Sequence, residues 1–290
     1  MNVVGLLLMF LTALTAALLY VILKYFTRFN INHLHALSFN YLTAALISFC
    51  LNFTQSVNAI SSFNEILLPC LSTGLLFILV FYTAAQTTAK HGLAITSIAA
   101  KTSMVIPITA GFILYHESVT LLKLIGIALA LFAVYVSNYK SEKKSKIQFM
   151  LLPVLLFIGS GFVDTSVKLA QYYFITDLNR QLFICSCFGF AGIFGLVATS
   201  YQFKTKKIKL TLRSVIAGII LGAVNYFSLD FLIRCLAVPG VESSTVFALL
   251  NMMVILLSAL FAFTLFKEQP NKSNISGIVL AIIAIAVLSL

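Results

Sequence analysis

Few side chains in this sequence can do chemistry, and most of those sit inside long apolar runs. Lys101 lies nine residues after Gly92 and fourteen before Tyr115. Nine residues of helix span about 13 Å, too far for easy reach to either end of its run. An ionisable group within hydrocarbon costs roughly 2.5–3.5 kcal/mol on insertion scales, so it marks a functional site by default. Lys101 therefore reads as a cavity lysine that holds an anionic group or exchanges a proton. The other reading is a lysine paired to a carboxylate to lock helices together. Asp164 and Lys168 lie four apart, as do Asp230 and Arg234. That spacing puts acid and base on one helical face, where each offsets the other's burial cost. Both pairs read as structural ion pairs, or as carboxylates that release their partner when substrate or a proton arrives. Asn225 precedes Asp230 in apolar surroundings. Burial would raise an unpaired carboxyl pKa and a neighbouring Arg would lower it. Asn251 is another mid-run polar group, with an interhelical hydrogen bond as its alternative role. Tyr20, Asn40, Tyr82 and Gln86 are weaker lining candidates. The candidate substrate-binding set is Lys101, Asn251, Asp230, Arg234, Asn225, Tyr82, Gln86, Tyr20, Asp164 and Lys168; no catalytic residue is assigned.

Enzyme chemistry is poorly represented. His33, His35, His91 and His116 are scattered over three loops. Cys50, Cys70, Cys185, Cys187 and Cys235 lie in or beside apolar runs and read as small, reduced, apolar residues. Cys185 and Cys187 are two apart, so on a helix they do not form a metal pair. The sequence has no phosphate-binding glycine loop, zinc-ligand cluster or nucleophile elbow, so no cofactor or metal is expected.

The elements that hold these groups follow from composition. Of 290 residues, 61% are hydrophobic and only 9% charged, with mean hydropathy +1.05. Average soluble domains are roughly 45–50% apolar and about 25% charged. Too few polar residues remain to coat a soluble globule. Apolar runs fall at 3–23, 34–53, 65–89, 92–115, 120–139, 149–171, 180–200, 212–236, 241–266 and 274–290. Most exceed 18 residues and none alternates strictly, which predicts membrane-spanning helices rather than barrel strands. The first run lacks a basic flank and a cleavage site, so it is kept as the first span. Pro107 is expected to kink or loosen the fourth span near Lys101. The close spacing of Gly159, Gly161, Gly189, Gly192 and Gly195 predicts tight helix packing.

The basic stretch Lys140–Lys146 divides the runs five and five. Tyr115-His116-Glu117 with Gly126 matches Phe266-Lys267-Glu268 with Gly277 at an offset of 151. Ala89-Lys90-His91-Gly92 resembles Ala237-Val238-Pro239-Gly240 at 148, and Lys24 resembles Lys168 at 144. The same register brings Asn251 within one residue of the equivalent of Lys101. These matches predict a duplication, with residues 1–139 as one half, 140–148 as a basic linker and 149–290 as the other. A duplicated unit with an odd number of spans inserts upside down in its second copy. The expected fold is therefore all-α and integral to the membrane, with ten helices in two inverted five-helix repeats, an arrangement used by secondary transporters. Glu117 and Glu268 sit at helix ends and read as structural caps.

The net charge of +11 is topological rather than a nucleic-acid signal. Fourteen of nineteen Lys and Arg fall in the odd-numbered loops, against two on the other side. Positive charge stays cytoplasmic. The odd loops are predicted inside, both termini outside, in a plasma or inner membrane.

Lys24 late in the first run, Glu117 before Gly126, and Glu268 before Gly277 resemble the drug/metabolite transporter superfamily, specifically EamA-type carriers. The resemblance covers the whole chain, although the family's Trp-rich first helix has no counterpart here. It implies a secondary carrier, often an exporter of amino acids or other small metabolites. The reading is alternating access around a cavity holding Lys101, Asn251 and Asp230. Its partners are a small polar metabolite and the bilayer, with no nucleic acid; a homodimer is left open. The rival is an integral-membrane enzyme acting on a lipid or metabolite.

Overall fold

The computed structural model describes residues 3–114, 121–137, 146–176, 178–206, 209–236, 243–268 and 272–288. Within them the chain is helical, in the order α1 (Val3–Arg28), α2 (His33–Leu51), α3 (Phe53–Asn58), α4 (Phe63–His91), α5 (Leu93–Thr102), α6 (Val105–Leu114), α7 (Leu121–Ser137), α8 (Lys146–Tyr173), α9 (Arg180–Lys206), α10 (Leu212–Leu236), α11 (Ser243–Thr264) and α12 (Lys272–Leu288). Six of these, α1, α2, α4, α8, α9 and α10, are long and apolar enough to cross a membrane. Four shorter apolar stretches lie at Leu93–Pro107, Leu124–Ala133, Leu250–Thr264 and Lys272–Val287. Helix is what such a sequence must adopt in lipid, because each backbone polar group finds its partner within the same segment. Glu117, Gly240 and most of the basic linker lie outside the described residues.

Three expectations need correction. The fourth apolar run is not one helix, because α5 ends at Thr102 and α6 begins at Val105. Pro107 explains the break. It has no N–H to give the Ser103 carbonyl, which instead accepts from Ile106 N at 2.9 Å, a tighter turn. The hydroxyls nearby do the same work, Thr102 Oγ1 donating to Ile98 O and Ser103 Oγ to Ala100 O. The break between the second and third apolar runs, where Asn52 to Asn58 reads as a turn, instead folds into α3 and a short 3-10 turn, Ile60–Ser62. His33 and His35 are not loop residues. They open α2, where the Asn32 side chain caps the helix by accepting from His35 N at 3.1 Å.

The described helices form two compact units. The first contains residues 1–24, 83–161 and 227–290; the second contains 25–82 and 162–226. Each draws on both sequence halves, and the partition cuts α1, α4, α8 and α10.

In the first unit, α12 packs along α7, and α5 packs on α7, α11 and α12. Ile98, Ala133, Ile255, Ala259, Ile278, Ala281 and Ile285 make one buried cluster there. The alanines among these isoleucines take up little room between the helices. A second cluster joins Met9 and Ala13 of α1 to Cys235 of α10 and to Leu250 and Val254 of α11.

The second unit is built on α2, which packs along α9. Tyr41 is its aromatic centre, with ring centroids 6.2, 5.8 and 6.1 Å from Phe77, Phe81 and Phe188. Its hydroxyl donates to Phe77 O at 2.8 Å, so the polar end of a fully buried ring is satisfied. Glycines set the spacing. Gly192 and Gly195 of α9 meet Leu42 and Ser38 of α2, the tight packing expected of that stretch. By contrast, no neighbour lies within 4 Å of a Cβ placed on Gly189. Gly218 and Gly222 of α10 lie against the Ala36 and Asn40 carbonyls of α2. Any side chain at 222 would overlap that backbone. Gly222→Val should therefore destabilise the second unit by about 1–3 kcal/mol, the usual range for overpacking. Thermal unfolding in detergent checks this, with Gly189→Ala expected to change little.

Candidate functional site

The first unit brings Lys101 and Asn251 to neighbouring helices beside the α5–α6 break. Lys101 is partly buried in the last turn of α5. Cations are favoured there because the last carbonyls of a helix have no partner within it. Asn251 of α11 is partly buried and its Nδ2 donates to the sulfur of Met104 at 3.5 Å. Met104 itself lies in the break. An ammonium group, an amide and a soft thioether thus flank a point where the backbone leaves helical geometry. Such interrupted helices are tolerated at membrane depth where protein or a water-filled cavity surrounds them. The set can offer positive charge and a hydrogen-bond donor to a small anionic or zwitterionic molecule, with an adaptable apolar wall.

Asp230 and Arg234 form the expected i,i+4 pair on α10, Nε to Oδ2 at 2.8 Å. Its two ends differ: the Asp230 side chain is 15% exposed and that of Arg234 67%. The carboxylate is held against protein while the guanidinium leans outward. Tyr20 is half-buried on the cluster of Met9, Ala13, Cys235, Leu250 and Val254. Gln86 is half-buried on α4 in the same unit.

The remaining candidates belong to the second unit. Asn225 is buried, and its Nδ2 donates to Asn40 Oδ1 at 3.3 Å. It continues the face of Gly218 and Gly222 that lies on α2, so its observed role is to tie α10 to α2. Asn40, a weak lining candidate by sequence, is the other half of that contact. Tyr82 is half-buried at the end of the unit's stretch of α4. Asp164 and Lys168 are exposed, one turn apart on α8.

A second polar cluster in the first unit falls outside the candidate set. Lys24 Nζ lies 2.9 Å from Glu268 Oε1, with side-chain exposures of 22% and 24%. Both Glu268 carboxylate oxygens accept from Leu93 N, at 3.3 and 3.4 Å. Leu93 opens α5, so a carboxylate sits where the helix dipole favours an anion. Lys24 Nζ also donates to Thr88 O at 3.4 Å, in the last turns of α4. Two backbone features make room for this. Gly92 has φ +88°, and a Cβ there would come within 2.7 Å of Glu268 Oε2, so glycine is required twice over. Lys267 has φ +50°, and Glu268 N donates to Ala262 O at 3.0 Å. That turn aims the carboxylate at α5. Glu268 is therefore a cap, as its position suggested, but of a distant helix. Sequence spacing carries no signal for the pairing, although both partners mark the internal repeat.

Glu268→Gln keeps the size of this group and removes its charge. The loss should fall between about 1 kcal/mol for an exposed ion pair and about 3–5 kcal/mol for a fully buried one. Hydrogen exchange should show it first as lower protection in the opening turn of α5, at Thr96 and Ser97.

An uncharacterized protein of Haemophilus influenzae is similar to this chain, 29% identical over 279 residues, covering 91% of each. A solved crystal structure of another protein shares the fold at TM-score 0.62, covering 96% of this chain and 95% of its own at 12% identity. Residues 3–139 match the model of the EamA-like transporter family. That segment is thus similar to the EamA-like transporter family, and the many apolar helices are those of a multi-pass membrane protein.

Proposed function

We propose that this chain is a secondary carrier that moves a small polar metabolite, an amino acid or organic anion, across a plasma or inner membrane by alternating access, with export the favoured direction. Ten apolar segments cross the bilayer as two inverted repeats, residues 1–139 and 149–290, joined by the basic linker 140–148. The odd-numbered loops face the cytoplasm. Lys101 receives the anionic group of the substrate, Asn251 hydrogen-bonds it, and Asp230 is the candidate proton carrier.

The observation that carries this reading is the break at Ser103–Met104, flanked by Lys101 and Asn251. Transporters of several folds bind substrate at interrupted helices near the bilayer midplane. Packing supports the repeat. The helices that lie along one another, α2 with α9, α5 with α11 and α7 with α12, are the ones the duplication makes equivalent. Lys101 and Asn251 occupy matching places in that register. With no nucleotide-binding motif in the sequence, uphill movement draws on an ion or substrate gradient.

The test is flux. Metabolites that accumulate in the medium of cells carrying the chain identify the substrate, and reconstitution into liposomes measures it. Lys101→Met should abolish that flux while expression and thermal stability stay near wild type, since the methionine stem fills the same space. Unchanged flux would remove Lys101 from the site.

A further inference from the structure

We propose that the Lys24–Glu268 pair is a releasable latch on the odd-loop face of the carrier, closed in this structure, that must open in each transport cycle. The inference rests on the carrier reading and adds its gate.

Glu268 joins the turn after α11 to the first N–H of α5 and, through Lys24, to α1 and the Thr88 carbonyl near the end of α4. The ends of four helices therefore meet at one ion pair. By the loop count all of them lie on the same face of the membrane: Lys24 by the first loop, Thr88 to Leu93 around the third, and Glu268 in the ninth. The pair is neither sealed nor fully exposed, at 22% and 24%. A sealed pair would be too costly to separate, and an exposed one would hold nothing. Partial exposure lets water or counter-ions solvate both charges when the contact parts.

The backbone beside it is held under tension. Lys267, a non-glycine residue, sits at φ +50°. Such conformations cost of order 1–3 kcal/mol and cluster at switch regions. This one is kept by the Glu268 N–H bond to Ala262 and by the carboxylate's contacts. Release of the latch lets Lys267 relax. Beneath the pair, the Thr88 hydroxyl donates to Thr96 Oγ1 at 3.2 Å and Thr96 Oγ1 to Gly92 O at 2.7 Å. These buried threonines keep α4 and α5 joined at the Gly92 hinge whether or not the carboxylate is present. What the latch controls is thus the position of the α5 start relative to α1 and α11. Lys101 rides on the same short helix, so a shift at Leu93 is carried to the substrate residues.

The geometry allows a direct experiment. A water-soluble carbodiimide activates the Glu268 carboxyl, and the Lys24 amine in contact with it displaces the urea by-product to form an amide, fixing the latch shut. Proteoliposomes of the full chain are treated, the cross-linked fraction is measured as the joined 24–268 peptide, and flux and substrate-induced thermal shift are read on the same sample. Lys24→Gln, treated in parallel, reports modification of other carboxyls. The expected result is loss of flux in proportion to the cross-linked fraction, with the substrate-induced shift retained and Lys24→Gln insensitive relative to its own untreated rate. Cross-linked protein that transports at the untreated rate overturns the latch, as does failure of the joined peptide to form. Absence of flux from untreated wild-type protein would instead defeat the carrier reading itself.

Discussion

A helix inside a membrane leaves its first N–H groups and last carbonyls without water to bond, and α5 is where this constraint presses hardest. The helix has only ten residues, with the loop turn at Gly92 interrupting the chain before it and a break within the apolar run after it. Its start is held by the Glu268 carboxylate and its last turn carries Lys101. An anion at the N-terminus and a cation at the C-terminus are the charges the helix dipole favours. The residues that make α5 tolerable are therefore also the ones with chemistry to offer. Lys24 then keeps Glu268 from being a lone charge, and Pro107 makes the second interruption necessary.

The two units solve packing differently. In the first, alanine and isoleucine from α5, α7, α11 and α12 interlock around a buried core. In the second, glycines of α9 and α10 bring backbones against α2, and a single tyrosine anchors an aromatic cluster. The Asn225–Asn40 bond belongs to that scaffold. Close glycine contacts and a buried amide pair make a rigid support, whereas a partly exposed ion pair beside a strained lysine makes a yielding one.

Much of this was legible in the residue pattern. Apolar run length gave the helices, because lipid permits little else. Pro107 marked the weakness near Lys101, because a missing N–H is a local fact. The Asp230–Arg234 pair could be read because one turn of helix enforces it. What escaped was long-range. Asn225 was grouped with Asp230 as neighbours in sequence, yet it faces α2 because Gly218 and Gly222 turn that side of α10 inward; the small-residue stripe ending in Asn225 was a usable signal. The Lys24–Glu268 pair had none of that kind, since nothing periodic links the end of α1 to the turn after α11. The repeat and the family resemblance drew attention to those two residues, and did so without pairing them.

The central claim is that Lys101 faces a water-filled chamber within the membrane. It is tested most directly by placing a thiol there, as Lys101→Cys, and measuring its reaction with a membrane-impermeant, hydrophilic thiosulfonate in intact membranes, against the parent chain's own five cysteines. The account predicts reaction above that background, slowed when the transported metabolite is added in excess. A thiol at 101 that ignores this reagent and reacts only with a lipid-soluble maleimide would contradict it.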